Sequence, residues 1–131
     1  MAAQQLQPGL HGVVTAIVGE SDTARQLGSG DVPVLGTPKA IALCEAASVD
    51  AVAHALDPGD TTVGTRIEFD HSAASPVGQS VTAQATLTVV DGRRLAFEVT
   101  VSDGARIVGR GVVHRVIVGR ERFLASLDSK R

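Results

Sequence analysis

The chain has 131 residues, of which 44% are hydrophobic and 20% charged, a balance typical of one globular domain over residues 1–131. Its formal net charge of -2 disfavours nucleic-acid and anionic-membrane partners. With three phenylalanines and no tryptophan or tyrosine, base-stacking platforms and aromatic cages are nearly excluded.

The single cysteine, Cys44, excludes an internal disulfide bond and favours a reducing compartment. The N-terminal sequence lacks the basic and apolar regions of a signal peptide. No apolar run approaches the roughly 20 residues that a membrane-spanning helix needs. We therefore expect a soluble cytoplasmic protein with no membrane partner.

The first half of the chain predicts a strand, a loop and one long helix. Residues 12–18 form a short β-branched run that is typical of a strand. Residues 19–36 are polar and glycine-rich, so we expect a loop or short mobile helix, and a lid if there is a pocket. Thr37 suits the N-cap of a central helix and Pro38 its first position, and this helix should run over 37–56.

One acidic residue stands out in the predicted helix. At 100° per residue, four apolar residues share a stripe with Glu45 at its centre: Ile41, Val49, Val52 and Leu56. A carboxylate placed there loses hydration, so it needs a partner or access to water. The remaining positions are mostly small, which predicts a largely buried helix, although Glu45 could instead reach the surface or a subunit interface.

The rest of the chain predicts sheet, with a four-stranded antiparallel meander over residues 61–118. Alternating apolar residues and two hairpin signals, Asp91-Gly92 and Asp103-Gly104, support it. The architecture is therefore α+β. A single helix cannot cover both faces of such a sheet, so the sheet should curl around the helix. An outer side or edge would then need a partner, which predicts a homodimer.

His71 ends the first strand of this sheet region. Counting back in twos places it on one face with Phe69, Ile67, Thr65 and Val63. A helix packed across this strand could bring Glu45 and His71 together to act on a substrate. The alternatives are a hydrogen-bonded structural histidine and, for Thr37, a role limited to capping the helix.

Other site chemistries find little support in the sequence. There is no phosphate-binding glycine loop, no nucleophile elbow and no cysteine and histidine cluster with zinc spacing, so no metal is expected. Cys44 lacks an evident activating base and is interpreted as a small core residue. By contrast, Gly64 within a strand removes a side chain and lets a ligand or another backbone approach closely.

Four segments together carry a family resemblance: LGSGDVPVLGTPKAIALCEAA, GTRIEFDHSAASPVG, GRRLAFEVTVSDG and GRGVVHR. The combination and spacing resemble the hotdog-fold thioesterases of the fluoroacetyl-CoA thioesterase type, from about Gly9 to Phe123. The family's catalytic Thr, the Glu eight residues later and the His 26 residues after the Glu fall on Thr37, Glu45 and His71.

The resemblance also assigns two substrate-binding residues. The family's strand glycine falls on Gly64, and its late-strand arginine near the acyl pocket falls on Arg115. The resemblance therefore implies a hotdog fold, a homodimer with active sites at the subunit interface, and hydrolysis of an acyl-CoA or related thioester. No cofactor is expected, since CoA is part of the substrate.

The lid departs from the family pattern. The fluoroacetyl-specific enzyme carries phenylalanines before the catalytic Thr, whereas residues 19–36 contain no aromatic residue. We therefore predict that fluoroacetyl selectivity is absent. Two other functions stay open: a hotdog acyl-thioester hydratase or dehydratase, and a non-catalytic acyl-CoA-binding module. In the thioesterase reading, Glu45 acts as general base or nucleophile, assisted by His71 and Thr37.

Overall fold

The computed structural model describes residues 4–128, with five strands and three helices in that range. The strands are β1 (His11–Ile17), β2 (Asp60–His71), β3 (Ser80–Asp91), β4 (Arg94–Ser102) and β5 (Ile107–Gly119). The helices are α1 (Ala24–Leu27), α2 (Thr37–Ala51) and α3 (Arg120–Asp128), with a 3-10 turn at Glu20–Asp22. None of these helices is long and apolar enough to cross a membrane.

The strands form one antiparallel sheet in the order β1-β3-β4-β5-β2. The two predicted hairpins close as expected, because Gly92 and Gly104 supply positive φ angles of 60° and 92° at the turns. The predicted four-stranded meander needs correction: only β3, β4 and β5 follow one another, and β2 pairs with β5 at the far edge. β2 is thus an edge strand.

Helix α2 contacts all five strands, which confirms the α+β arrangement of a sheet curled around one helix. The helix buries its small-residue side and not the predicted apolar stripe. Its buried residues are Ala40, Leu43, Cys44, Ala47, Ser48 and Ala51. Small side chains allow α2 to lie so close to β1 that a Cβ on Gly12 would collide with the Ala47 carbonyl. Of the predicted stripe, Val49 is 45% exposed, whereas Val52, just past the end of α2, is 1% exposed and belongs to the core.

Helix α2 also ends five residues earlier than predicted, at Ala51 rather than residue 56. Beyond it, the amides of Ala53 and Ala55 bond to carbonyls three residues back, at Asp50 and Val52. Bonds of this spacing form tight turns in place of the α-helical ladder.

A β-bulge interrupts β2 between Gly64 and Arg66, so that Thr65 has no partner residue in β5. The bulge reverses the alternation of side chains. Beyond it, Ile67 and His71 are half-buried on the helix side as predicted. Before it, the helix side carries Thr62 and Gly64, so the prediction that Val63 and Thr65 share the face of His71 was wrong.

Candidate functional site

The start of helix α2 delivers Thr37 to the end of β2. Its Oγ1 lies 2.8 Å from Nδ1 of His71. Thr37 is not the N-cap that the sequence predicted: Gly36 holds that position without a side-chain bond, and Thr37 is the first helical residue. The hydroxyl is therefore engaged with the imidazole instead of capping the helix.

The surroundings of His71 favour a neutral imidazole. Burial lowers its pKa below the ordinary value of 6.5, and the nearby backbone of Ala73 opposes this shift of the pKa only in part. Nε2 is buried and makes no hydrogen bond to any of residues 4–128. His71 therefore bonds Thr37 through one ring nitrogen, while the other is enclosed by protein and leaves the ring neutral.

A cavity of about 300 Å³ opens beside this pair. The predicted lid contributes Val32, Val34 and Leu35 to its wall, and the end of β2 contributes His71. The lid is tied down at its C-terminal side, where the amide of Leu35 donates to the carbonyl of Ser75 over 2.8 Å. Part of the segment 19–36 therefore forms an ordered wall of this cavity, held by backbone hydrogen bonds.

Glu45 lies in the middle of α2 and pairs with the inward-facing Arg115 of β5. Arg115 Nη1 donates to Glu45 Oε2 over 2.9 Å, and the arginine side chain is only 8% exposed, against 35% for the glutamate. Arg115 also donates from Nε to Thr62 Oγ1 over 2.9 Å and from Nη2 to the Thr62 carbonyl over 3.0 Å. No other hydrogen bond to the Glu45 carboxylate is found between residues 4 and 128, so Oε1 is unengaged by protein there.

Gly64 makes this position of Glu45 possible. A Cβ on Gly64 would come within 2.6 Å of Glu45 Oε2 and 3.4 Å of Arg115 Nη1. The carboxylate thus rests directly on the bare backbone of β2. The close approach at Gly64 is made by a side chain, that of Glu45, and not by the ligand or second backbone that the sequence predicted.

Two separate pairs therefore stand in one chain: Thr37 with His71, and Glu45 with Arg115. Within residues 4–128, no hydrogen bond or ion pair joins Glu45 to His71. Eight helical residues separate Thr37 from Glu45, which is about 12 Å along the axis. The predicted encounter of Glu45 and His71 does not occur inside a single chain.

The remaining titratable groups contribute little to this site. Burial first, and then the charge of Glu45, raise the pKa of the Cys44 thiol to about 12, so it is no nucleophile at neutral pH. His11 lies apart and bonds Thr86 at 2.9 Å. In the part of the chain that the structure describes, no three metal-ligating side chains come together.

Sequence reasoning missed Thr62 and the pairing of Arg115 with Glu45. Arg115 and Glu45 are 70 residues apart, and no periodicity reports a contact across that distance. The one available signal was Gly64, because a glycine inside a strand often marks a bulge.

Comparison with known proteins places this geometry in a family. The sequence profile described as "Fluoroacetyl-CoA-specific thioesterase" matches residues 18–121. The fluoroacetyl-CoA thioesterase of Streptantibioticus cattleyicolor is 39% identical over 97 residues, which cover 74% of this chain and 70% of that protein.

Solved structures of thioesterases share the fold of this chain. A crystal structure of a variant of the fluoroacetyl-CoA-specific thioesterase superposes with a TM-score of 0.89 at 32% identity, covering 98% of this chain and 99% of that one. A thioesterase superfamily member from Thermus thermophilus shares the fold at 23% identity, with a TM-score of 0.88 over 96% and 93% of the two chains. The predicted hotdog fold is thereby confirmed. The chain belongs to the fluoroacetyl-CoA-specific thioesterase family and is a thioester hydrolase.

Proposed function

We propose that the protein hydrolyses an acyl-CoA to a carboxylic acid and free CoA thiol, with catalysis by Glu45, His71 and Thr37. The observation that carries the proposal is the Glu45 carboxylate, which Arg115 holds by one oxygen over the bare backbone of Gly64. A fixed, one-third exposed carboxylate with one oxygen unengaged by protein is suited to act as a base or a nucleophile.

The reaction joins an oxygen to the thioester carbonyl carbon and breaks the bond between that carbon and sulfur. Glu45 either takes a proton from the attacking water or attacks the carbon itself to give a mixed anhydride, which water then hydrolyses. His71, neutral at pH 7, orients the reacting oxygen. In the general-base route it receives the water proton from Glu45 and passes it to the departing thiolate; in the anhydride route the thiolate takes its proton from solvent, and His71 accepts a proton from the water that hydrolyses the anhydride. Thr37 holds one nitrogen of the imidazole, which fixes the ring for this transfer.

We further propose that the active site is completed in a homodimer. β2 is a 12-residue edge strand, which is a surface for pairing with a second copy. The flank of α2 around Glu45 also exposes apolar surface at Val49. Antiparallel pairing of two β2 edges about a twofold axis near Ile67 would put Gly64 three residues to one side of the axis and the partner subunit's His71 four residues to that same side, opposite Val63. Glu45 of one subunit would thereby meet the partner's His71.

Mixing two inactive variants tests this arrangement. Glu45→Gln and His71→Ala each lower kcat/KM by at least about 100-fold while the dimer stays folded. If each site takes Glu45 and His71 from different subunits, denaturing and refolding the variants together restores about a quarter of the wild-type rate, because half the dimers regain one intact site. Absence of recovery, in dimers shown by mass spectrometry to be mixed, would contradict the shared site.

The substrate class is tested by thiol release from a panel of acyl-CoAs, read with a thiol-reactive dye. Hydrolysis supports a thioesterase, binding without release supports an acyl-CoA-binding module, and an enoyl absorbance change supports a hydratase. Because residues 19–36 carry no aromatic side chain, we propose that kcat/KM for fluoroacetyl-CoA stays within about tenfold of that for acetyl-CoA. We also propose a cytoplasmic location, which rests on the single cysteine and is tested by cell fractionation.

A further inference from the structure

The guanidinium of Arg115 is held on two sides in a buried position. Among residues 4–128, Arg115 is the one buried arginine. Its Nε and Nη2 both donate to Thr62, at the hydroxyl and the carbonyl, and its Nη1 donates to Glu45. Because a guanidinium is a rigid planar fork, fixing one edge of it fixes the direction in which the other edge points.

We infer that Thr62 is a positioning residue for the proposed thioesterase reaction and that it sets the Glu45 carboxylate through Arg115. The inference rests on the proposed function. The hydroxyl of Thr62 is the sole hydrogen-bond partner of Arg115 Nε among the described residues, and Thr62 is itself only 7% exposed. Without that hydroxyl, a buried N–H loses its acceptor and the guanidinium tilts to find another. The tilt moves Nη1, and Glu45 moves with it.

The bulge at Thr65 explains how Thr62 reaches this place. Thr62 and His71 are nine residues apart, and in a regular strand an odd separation puts two side chains on opposite faces. The extra residue in β2 cancels that rule, so both side chains lie on the helix side. One strand therefore serves Glu45 at one end, through Thr62, and Thr37 at the other, through His71.

The test removes the hydroxyl and keeps the shape of the side chain. Thr62→Val should lower kcat by about 10- to 100-fold with KM within about threefold, since the substrate still binds while the carboxylate is displaced. Thr62→Ser, which keeps the hydroxyl, should restore kcat to within about threefold of wild type. Thr61→Val is the matched control: the same change on the neighbouring half-buried threonine, which should leave both constants unchanged.

A second measurement does not depend on activity. In protein labelled with ¹⁵N-arginine, the slowly exchanging Nε–H of the buried Arg115 should exchange at least about tenfold faster with water in Thr62→Val than in wild type or Thr62→Ser. Unchanged exchange in Thr62→Val overturns the inference, as does a kcat within twofold of wild type. An equal decrease of kcat in Thr62→Ser and Thr62→Val also overturns the inference. If the wild type hydrolyses no CoA thioester, the proposed function fails, and the exchange rates still decide whether Thr62 holds Arg115.

Discussion

Replacing Gly64 with alanine should separate activity from stability. The new Cβ would lie 2.6 Å from Glu45 Oε2, whereas an ordinary contact begins at 3.4 Å, so the carboxylate must retreat by about 0.8 Å (3.4 minus 2.6). Misplacement of a catalytic group by about 1 Å costs on the order of 100-fold in rate. We expect kcat to fall by about 10- to 100-fold in Gly64→Ala, with KM changed by less than about threefold.

The fold should tolerate the same change. The atom that must move is the end of a flexible side chain, not backbone, so we expect the melting temperature to stay within about 3 °C of wild type. Steady-state thiol release gives kcat and KM, and circular dichroism gives the melting curve. Gly119→Ala is the control, because its Cβ would meet nothing closer than 3.9 Å. A folded Gly64→Ala enzyme with wild-type kcat would refute the role given to the Glu45 position.

Three further predictions concern stability and reactivity. Burial lowers the pKa of His71, so the unfolded chain binds that proton more readily; stability from the neutral ring is complete above pH 6.5 and is lost as pH falls through the lower folded value. Between pH 7.5 and pH 5, the free energy of unfolding measured with urea should fall less in His71→Gln than in wild type. Gly12→Ala should cost about 1–3 kcal/mol in the same assay, because its Cβ meets the α2 backbone, and a midpoint like that of Gly119→Ala would contradict this. Cys44 should react with a thiol dye only after denaturation, and stoichiometric labelling of the native protein would disprove its burial.

Local patterns were sufficient to predict most of the fold. The alternation of apolar residues in β3 and β4 and the two Asp-Gly turns determine a hairpin whatever the rest of the chain does. The start of α2 was also predictable, from Thr37 and Pro38, although Thr37 proved to lie one position inside the helix. These features depend on residues close together in sequence.

Features that depend on packing were not predictable in the same way. Periodicity identified a stripe around Glu45, but the sheet packs against the side of α2 that is rich in alanine, because small residues allow the closest approach. In the sheet, β2 pairs with β5, and no local sequence pattern distinguishes this arrangement from pairing of β2 with β3. The spacing of Thr37, Glu45 and His71 indicated the family, yet only the fold showed that Thr37 pairs with His71 while Glu45 pairs with Arg115.

The irregular step in β2 has a consequence for any attempt to transplant or recombine this site. Because Thr65 is an extra residue, the helix-facing side chains of β2 have even residue numbers before it and odd residue numbers after it. A variant whose β2 keeps this length but pairs with β5 without the bulge would turn either the imidazole or the threonine that holds the arginine outward to water. A strand one residue shorter that pairs regularly would again place both side chains on the helix side, so aligned sequences with a single-residue gap between Gly64 and Arg66 should keep both residue types.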